Sequence, residues 1–201
     1  MNFVNNLLDY VDLLVFDDAL HLAKEPFDFY QKLIRNDQFK RKVKYIFIEV
    51  FSITSQPHID KYFNSLIKDN TILLPVLQND YSGYGWRYKT YLDLLGTIWD
   101  VNSQLSESEK IQVICVDQPI YWNGIQTRKD YDLFQQSLVG RDYFMYKIIS
   151  QTLDNFKSDR KGVFLTNTRH AYKGIKKTNG EFYWNTGTFL HQWHPKKSYY
   201  L

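Results

Sequence analysis

Four apolar runs in this chain each stop at, or a few residues before, side chains able to move a proton. Leu13-Leu14-Val15-Phe16 runs into Asp17-Asp18, with His21 three residues beyond Asp18. Tyr45-Ile46-Phe47-Ile48 stops at Glu49, and Val113-Ile114-Cys115-Val116 stops at Asp117. Val163-Phe164-Leu165 ends shortly before Arg169-His170. A carboxylate placed beside an imidazole sets its tautomer and raises its basicity, which is what a general base requires. Taken alone, Asp18-x-x-His21 reads equally well as a helix cap with a histidine packed on it. Glu49 changes that balance, because an acid directly after four apolar residues is costly to bury unless it is paired or functional.

The elements that must position these groups follow from periodicity. Short continuous apolar runs separated by helical patterns read as buried parallel strands. Phe27, Tyr30, Leu33 and Ile34 form one helical face, and Ile59, Tyr62, Phe63, Leu66 and Ile67 a second, with Pro57 suited to a first turn. Tyr88, Tyr91, Leu92, Leu95, Ile98 and Trp99 form a third; Phe144, Met145, Ile148, Ile149, Leu153 and Phe156 form a fourth. Thr71 to Leu77 has strand composition but contains Pro75, which restricts it to an edge or a short strand. The alternation predicts an α/β fold, a mostly parallel central sheet with helices on both faces, in one domain over residues 1–201. In such sheets the carboxyl ends of the strands share the edge where ligands bind. Two segments read as functional loops, Asn79 to Trp86 and Asn167 to Gly187.

Composition excludes several classes. A formal charge of +3 with scattered lysines does not fit a nucleic-acid partner. The densest basic stretch, Lys40 to Lys44, falls between a helix and a strand and reads as a solvated loop. No apolar run approaches a membrane span, and the first 23 residues carry no Lys or Arg, unlike a secretory signal. A cytoplasmic protein without membrane contact is the expectation. Cys115, the one cysteine, reads as a small core hydrophobe. Metalloprotease, serine-hydrolase, P-loop and dinucleotide signatures are absent, and Ser82-Gly83-Tyr84-Gly85 reads as a turn. His191 and His194 have metal-like spacing but no second pair, so surface or packing roles fit better, as they do for His58.

The same residues resemble a known family. Val15-Phe16-Asp17-Asp18-Ala19-Leu20-His21 looks like the Gly-Glu-x-x-His motif of the erythromycin esterase-like superfamily, which is related to haem-binding ChaN-type lipoproteins and Tiki-type proteases. Glu49, followed by Gln56 and Asp60, resembles its strand-end Glu and Q-x-x-x-D helix; Val116-Asp117-Gln118-Pro119-Ile120-Tyr121-Trp122 is similar to its D-x-P-x-x-W segment. Arg141-Asp142-Tyr143-Phe144-Met145 matches an R-D-x-x-M helix start, and Thr168-Arg169-His170-Ala171 resembles the late motif with the second histidine. The series is ordered and spans roughly residues 10 to 175. Asp17-Asp18 replaces the Gly-Glu pair, and Asn167, Thr168 and Arg169 replace the glycines usual before the late histidine.

The resemblance implies hydrolysis of an ester or lactone in a small-molecule substrate. His21 would be the general base, oriented by Asp18, with Glu49 and His170 positioning the water or stabilising the transition state. Arg169 would serve a developing oxyanion, while Asp117 and Trp122 would shape the substrate cleft. His21 is expected to be half-exposed. No cofactor is required, although the two acids and two histidines also suit a divalent metal. Two other readings use the same residues: a non-catalytic relative that binds a small molecule such as haem, and a metal-dependent phosphoesterase.

Overall fold

The computed structural model describes residues 1–18, 21, 23–81, 89–157 and 159–201. Five strands, β1 (Leu13–Asp17), β2 (Val43–Ser52), β3 (Gln112–Asp117), β4 (Lys161–Thr166) and β5 (Ser198–Tyr200), form one parallel sheet in the order β3-β2-β4-β1-β5. Ten helices join and flank them: α1 (Asn2–Leu7), α2 (Lys24–Ile34), α3 (Asp37–Lys42), α4 (Gln56–Asn64), α5 (Leu74–Gln78), α6 (Lys89–Asn102), α7 (Arg128–Ser137), α8 (Arg141–Thr152), α9 (Thr168–Ala171) and α10 (Thr186–Trp193), counted among the described residues. The expected α/β architecture is present, with every pairing in the sheet parallel.

Strand residues are apolar in continuous runs because both faces are covered. Successive side chains point to opposite sides. Leu14, Phe16, Ile46, Ile48, Val163 and Leu165 pack with α2, α4 and α6, including Phe27, Ile59 and Tyr91. Leu13, Val15, Phe47 and Phe164 face the other way, onto Met145 and Ile149 of α8 and Leu190 of α10. Each such fully buried side chain contributes about 1.5–3 kcal/mol. No helix among the described residues is long and apolar enough to cross a membrane.

The strand order places a topological switch point where the site lies. From β2 the chain moves outward to β3, whereas from β4 it moves past β1 to β5. The carboxyl ends of neighbouring β2 and β4 are therefore a topological switch point, the usual binding position in an open α/β sheet.

Several local expectations change. Thr71 to Leu77 is no strand: a 3-10 turn at Asn70–Leu73 leads into α5, with Pro75 in the first helical turn, where its missing N–H costs nothing. Lys40 to Lys44 is no loop either. Lys40, Arg41 and Lys42 form the last turn of α3, where cations oppose the helix dipole, and β2 begins at Val43. Strand β5, in the aromatic tail, is too short to show a period in sequence. Tyr88 and the Ser82-Gly83-Tyr84-Gly85 turn lie outside the described residues, as do residues 82–86 of the first loop.

Candidate active site

The end of β1 builds the first half of the site. The Asp18 N–H donates to the Thr166 carbonyl at 2.9 Å, extending the pairing of β1 with β4 by one residue. The chain then turns, and His21 adopts φ +65°. This left-handed conformation costs a non-glycine residue about 1–3 kcal/mol, and Asp18 holds it. One carboxylate oxygen accepts the His21 backbone N–H at 3.0 Å, and the other takes the ring Nδ1–H in a short hydrogen bond. Tyr91 Oη of α6 donates to that second oxygen, also at 3.0 Å. Asp18 is not a helix cap, since α2 starts after Ala23 and has no side-chain cap. Burial pushes the Asp18 carboxyl above its usual range, against the bonds from His21 and Tyr91. His21 is buried, at 5% exposure, rather than half-exposed.

Glu49 is the centre. Pairing of β2 with β4 ends at Ile48, and its register with β3 shifts between Ile48 and Ser52, so the Glu49 backbone leaves the ladder. Its carboxylate, 2% exposed as a residue, receives Thr166 Oγ1 at 2.6 Å and the Asn167 N–H at 3.0 Å on Oε2, and Arg141 Nη2 at 2.9 Å on Oε1. His21 Nε2 lies 3.6 Å from Oε2 and His170 Nε2 lies 3.4 Å from Oε1. Burial would raise this acid, but the charges of His170 and Arg141, with the hydrogen bond from Thr166, outweigh it and hold the carboxyl down to about 2. Asn167 Nδ2 donates to His21 Nε2 at 3.0 Å, so the imidazole carries its proton on Nδ1 and its lone pair on Nε2.

The start of α8 builds the second half. Arg141 clamps Asp117 through Nε at 2.6 Å and Nη2 at 3.0 Å, and its guanidinium lies 4.7 Å from the centre of the Tyr81 ring. Asp142 accepts His170 Nδ1–H at 2.7 Å, and the Thr186 N–H and hydroxyl at 2.8 and 2.9 Å, all on Oδ1; Tyr183 Oη donates to Oδ2 at 3.1 Å. His170 thus has its own carboxylate, as His21 does. Burial disfavours the His170 imidazolium, but Glu49 and Asp142 overcome this and raise its pKa. A close approach supports this half: a Cβ on Gly187 would fall 1.9 Å from the Ala171 carbonyl oxygen, so α10 packs on the backbone beside His170 only because residue 187 is glycine.

The structure brings Asp18, His21, Glu49 and His170 together. Asp117 meets them through Arg141, which occupies both its carboxylate oxygens. Arg169 is exposed on α9, and the guanidinium that reaches Glu49 belongs to Arg141 instead. Trp122 stands in a turn over Trp122–Gly124 against Phe134, lining a separate groove. His191 is exposed near Lys173, while His194 stacks on Tyr146 and bonds its hydroxyl at 2.9 Å. His58 sits exposed in the first turn of α4, and burial raises the Cys115 thiol, so neither joins the site. Among the described residues no group of three or more His, Cys, Asp or Glu is arranged to hold a metal ion. Arg141 takes the place beside Glu49 Oε1 that such an ion would need.

Sequence reasoning assigned no site role to Arg141, Asp142, Tyr91 or Asn167. For the first two a signal existed, since an Arg-Asp pair heads a helix whose other face is apolar. Tyr91 reads as one aromatic among several on a helical face, and Asn167 as loop.

The raised pKa of His170 has a measurable consequence. A histidine whose folded pKa exceeds its unfolded value, about 6.5, stabilises the fold fully below that value and loses the contribution as pH rises through the folded pKa. The stability gap between wild type and His170→Asn should therefore narrow from pH 6 toward alkaline pH. Urea denaturation across that range checks it, and a gap that stays constant or widens contradicts the assignment.

No family model matches the chain, and no curated protein does either. Solved structures share its fold. A Bacillus cereus protein superposes with a TM-score of 0.67 at 13% identity, covering 98% of this chain and 66% of its own. A chain described among bacterial protein toxins gives 0.57 at 15% identity, covering 93% of this chain and 34% of its own. The type III effector HopBA1 gives 0.51 at 10% identity, covering 82% and 72%. At such identities the likeness is one of fold, and this chain spans about a third of the toxin chain and just under two thirds of the Bacillus protein.

Proposed function

We propose that this protein is a hydrolase of the erythromycin esterase-like type that cleaves an ester or lactone in a small molecule. The observation carrying this reading is the pairing of two histidines on one buried carboxylate. His21 and His170 approach opposite oxygens of Glu49, and each is backed by its own acid, Asp18 or Asp142. The environments differ in the sense that acid–base chemistry requires. A donor faces Nε2 in both rings, Asn167 Nδ2 at 3.0 Å for His21 and Arg141 Nη1 at 3.2 Å for His170, while Glu49 and Asp142 raise the pKa of His170.

In the proposed reaction a water replaces the Asn167 amide at His21 Nε2 and gives up a proton there. The resulting hydroxide attacks the acyl carbon, and the tetrahedral oxyanion forms near the Arg141 and His170 charges. As the carbon–oxygen bond breaks, His170 in its imidazolium form, with Nε2–H turned toward Glu49 Oε1 and away from Arg141 Nη1, which lies 3.2 Å from Nε2, gives that proton to the leaving alkoxide. The products are an acid and an alcohol, and His21 and His170 return to their starting states by exchanging a proton with solvent. Asp117 acts through Arg141 by holding its guanidinium.

A cytoplasmic location belongs to the same proposal. The test is purified protein assayed on generic carboxylic and phosphate monoesters, with and without chelator. Chelator-resistant turnover of carboxylic esters supports the proposal. Chelator-sensitive turnover of phosphate esters would replace it with a metal-dependent phosphoesterase. Inertness toward both, with tight haem binding, would replace it with a binding protein.

A further inference from the structure

A second concavity opens on the same edge of the sheet, beyond the carboxyl ends of β2 and β3. A volume of about 490 Å³ lies between the loop after β2, the end of α5 and the loop after β3, in the size range of small-ligand sites. The two loops are joined there: Ser52 Oγ donates to the Gln118 carbonyl at 2.8 Å and Thr54 Oγ1 to that of Ile120 at 3.2 Å. The walls are thus held by hydrogen bonds to the sheet edge.

Among the described residues bordering the groove none is Asp, Glu, Lys or Arg, and His58 is the one side chain there able to take a positive charge. Two aromatics, Tyr121 and Trp122, stand on one side, with Tyr121 70% exposed. Opposite them are hydroxyls and amides, Thr54, Ser55, Gln78 and Asn79. Asn79 is already oriented, because its Nδ2 donates to Thr54 Oγ1 at 2.9 Å and to Ser55 Oγ at 3.2 Å. Its Oδ1 is left as an acceptor without a hydrogen bond among the described residues.

We propose that this groove binds a neutral saccharide, as the glycosyl part of the substrate or as a separate ligand. A pyranose has an apolar C–H face, which fits an aromatic ring, and a rim of hydroxyls, which fits amide and hydroxyl partners of both polarities. The described lining disfavours the alternatives: a phosphate or carboxylate ligand finds no Lys or Arg and only His58 as a partner, and an amine finds no carboxylate. A purely apolar ligand would leave the amides without partners, at a cost of about 1–3 kcal/mol for each group desolvated. As part of the substrate, the sugar places this groove in the service of the proposed hydrolase, although its binding does not depend on turnover.

The experiment is therefore a binding measurement. Isotope-labelled protein is titrated with methyl β-glucoside, N-acetylglucosamine and cellobiose, with gluconate, glucosamine and adenosine as comparison ligands, while backbone and Trp indole NMR signals are followed. At least one neutral sugar should shift signals of Thr54, Asn79 and Trp122 saturably. Binding should weaken about tenfold in Trp122→Ala, as expected for a lost aromatic contact, and also in the more exposed Tyr121→Ala, which protects the test against misfolding of the first variant. His21→Asn should bind the sugar as wild type does, so failure of the hydrolase reading leaves this result intact. No saturable shift with any neutral sugar overturns the proposal, as does preferential binding of gluconate, glucosamine or adenosine, or affinity unaffected by both aromatic substitutions.

Discussion

Arg141→Ala should destabilise the protein by about 3–5 kcal/mol, the cost typical of breaking a buried ion pair and leaving charge behind. The wild-type guanidinium holds Glu49 Oε1 at 2.9 Å and both oxygens of Asp117, and these acids lie in the buried sheet edge. Against a total stability of about 5–15 kcal/mol for a domain, that loss would leave a large unfolded fraction. It should also depend on pH. In the wild type Glu49 titrates near 2, so its ionised form adds stability above the unfolded carboxyl value, about 4.3, that is lost as pH falls. Without Arg141 less of that depression remains, so the deficit of the variant should be full from pH 7 to about 5 and shrink as pH falls below about 4.3 toward 2. Urea midpoints at several pH values measure both effects. A loss below about 1 kcal/mol, the range of exposed ion pairs, would mean that Arg141 does not organise the site.

The second large effect is on turnover. His21→Asn should lower ester hydrolysis by about 10²- to 10⁴-fold, the usual contribution of a general base. Asparagine suits this test because it accepts the φ of +65° found at residue 21, which Ala tolerates poorly. The loss should fall on kcat with KM little changed, since His21 acts on water rather than on the body of the substrate. Stability should also drop by about 1–3 kcal/mol, because Asp18 loses a buried partner. The half-exposed histidine expected from sequence would have left stability unchanged. If His21→Asn keeps near wild-type kcat on a carboxylic ester, the base lies elsewhere.

Strand ends and helical faces were readable in the chain because burial on both sides of a parallel sheet forces continuous apolar runs, and an acid after such a run stands out. Asp18, His21, Glu49 and His170 were found in this way, as were α2, the interior of α8 and α4 as far as Phe63; the helix ends at Asn64, and Leu66 and Ile67, expected on its apolar face, are exposed beyond it. The proline of α5 and the lysines of α3 misled for the opposite reason. Their residue types carry weak local preferences, and the preference of a helix terminus for Pro at one end and cations at the other outweighed them.

What the chain alone determined was therefore the four strands β1 to β4, their alternation with helices in a parallel sheet, and the acids and histidines at or after their carboxyl ends. The tertiary structure decided which of these meet. Asp117 ends β3 and Trp122 lies five residues later, yet one turns to Arg141 and the other to a groove, because side-chain direction after a strand depends on the loop's own path. Arg169 and Arg141 are both plausible partners for an oxyanion by composition. Only the docking of α8 against the sheet makes Arg141 the buried cation, 24 residues from Asp117 and 92 from Glu49. Pairings at that separation arise from packing between elements, and no periodicity within an element encodes them.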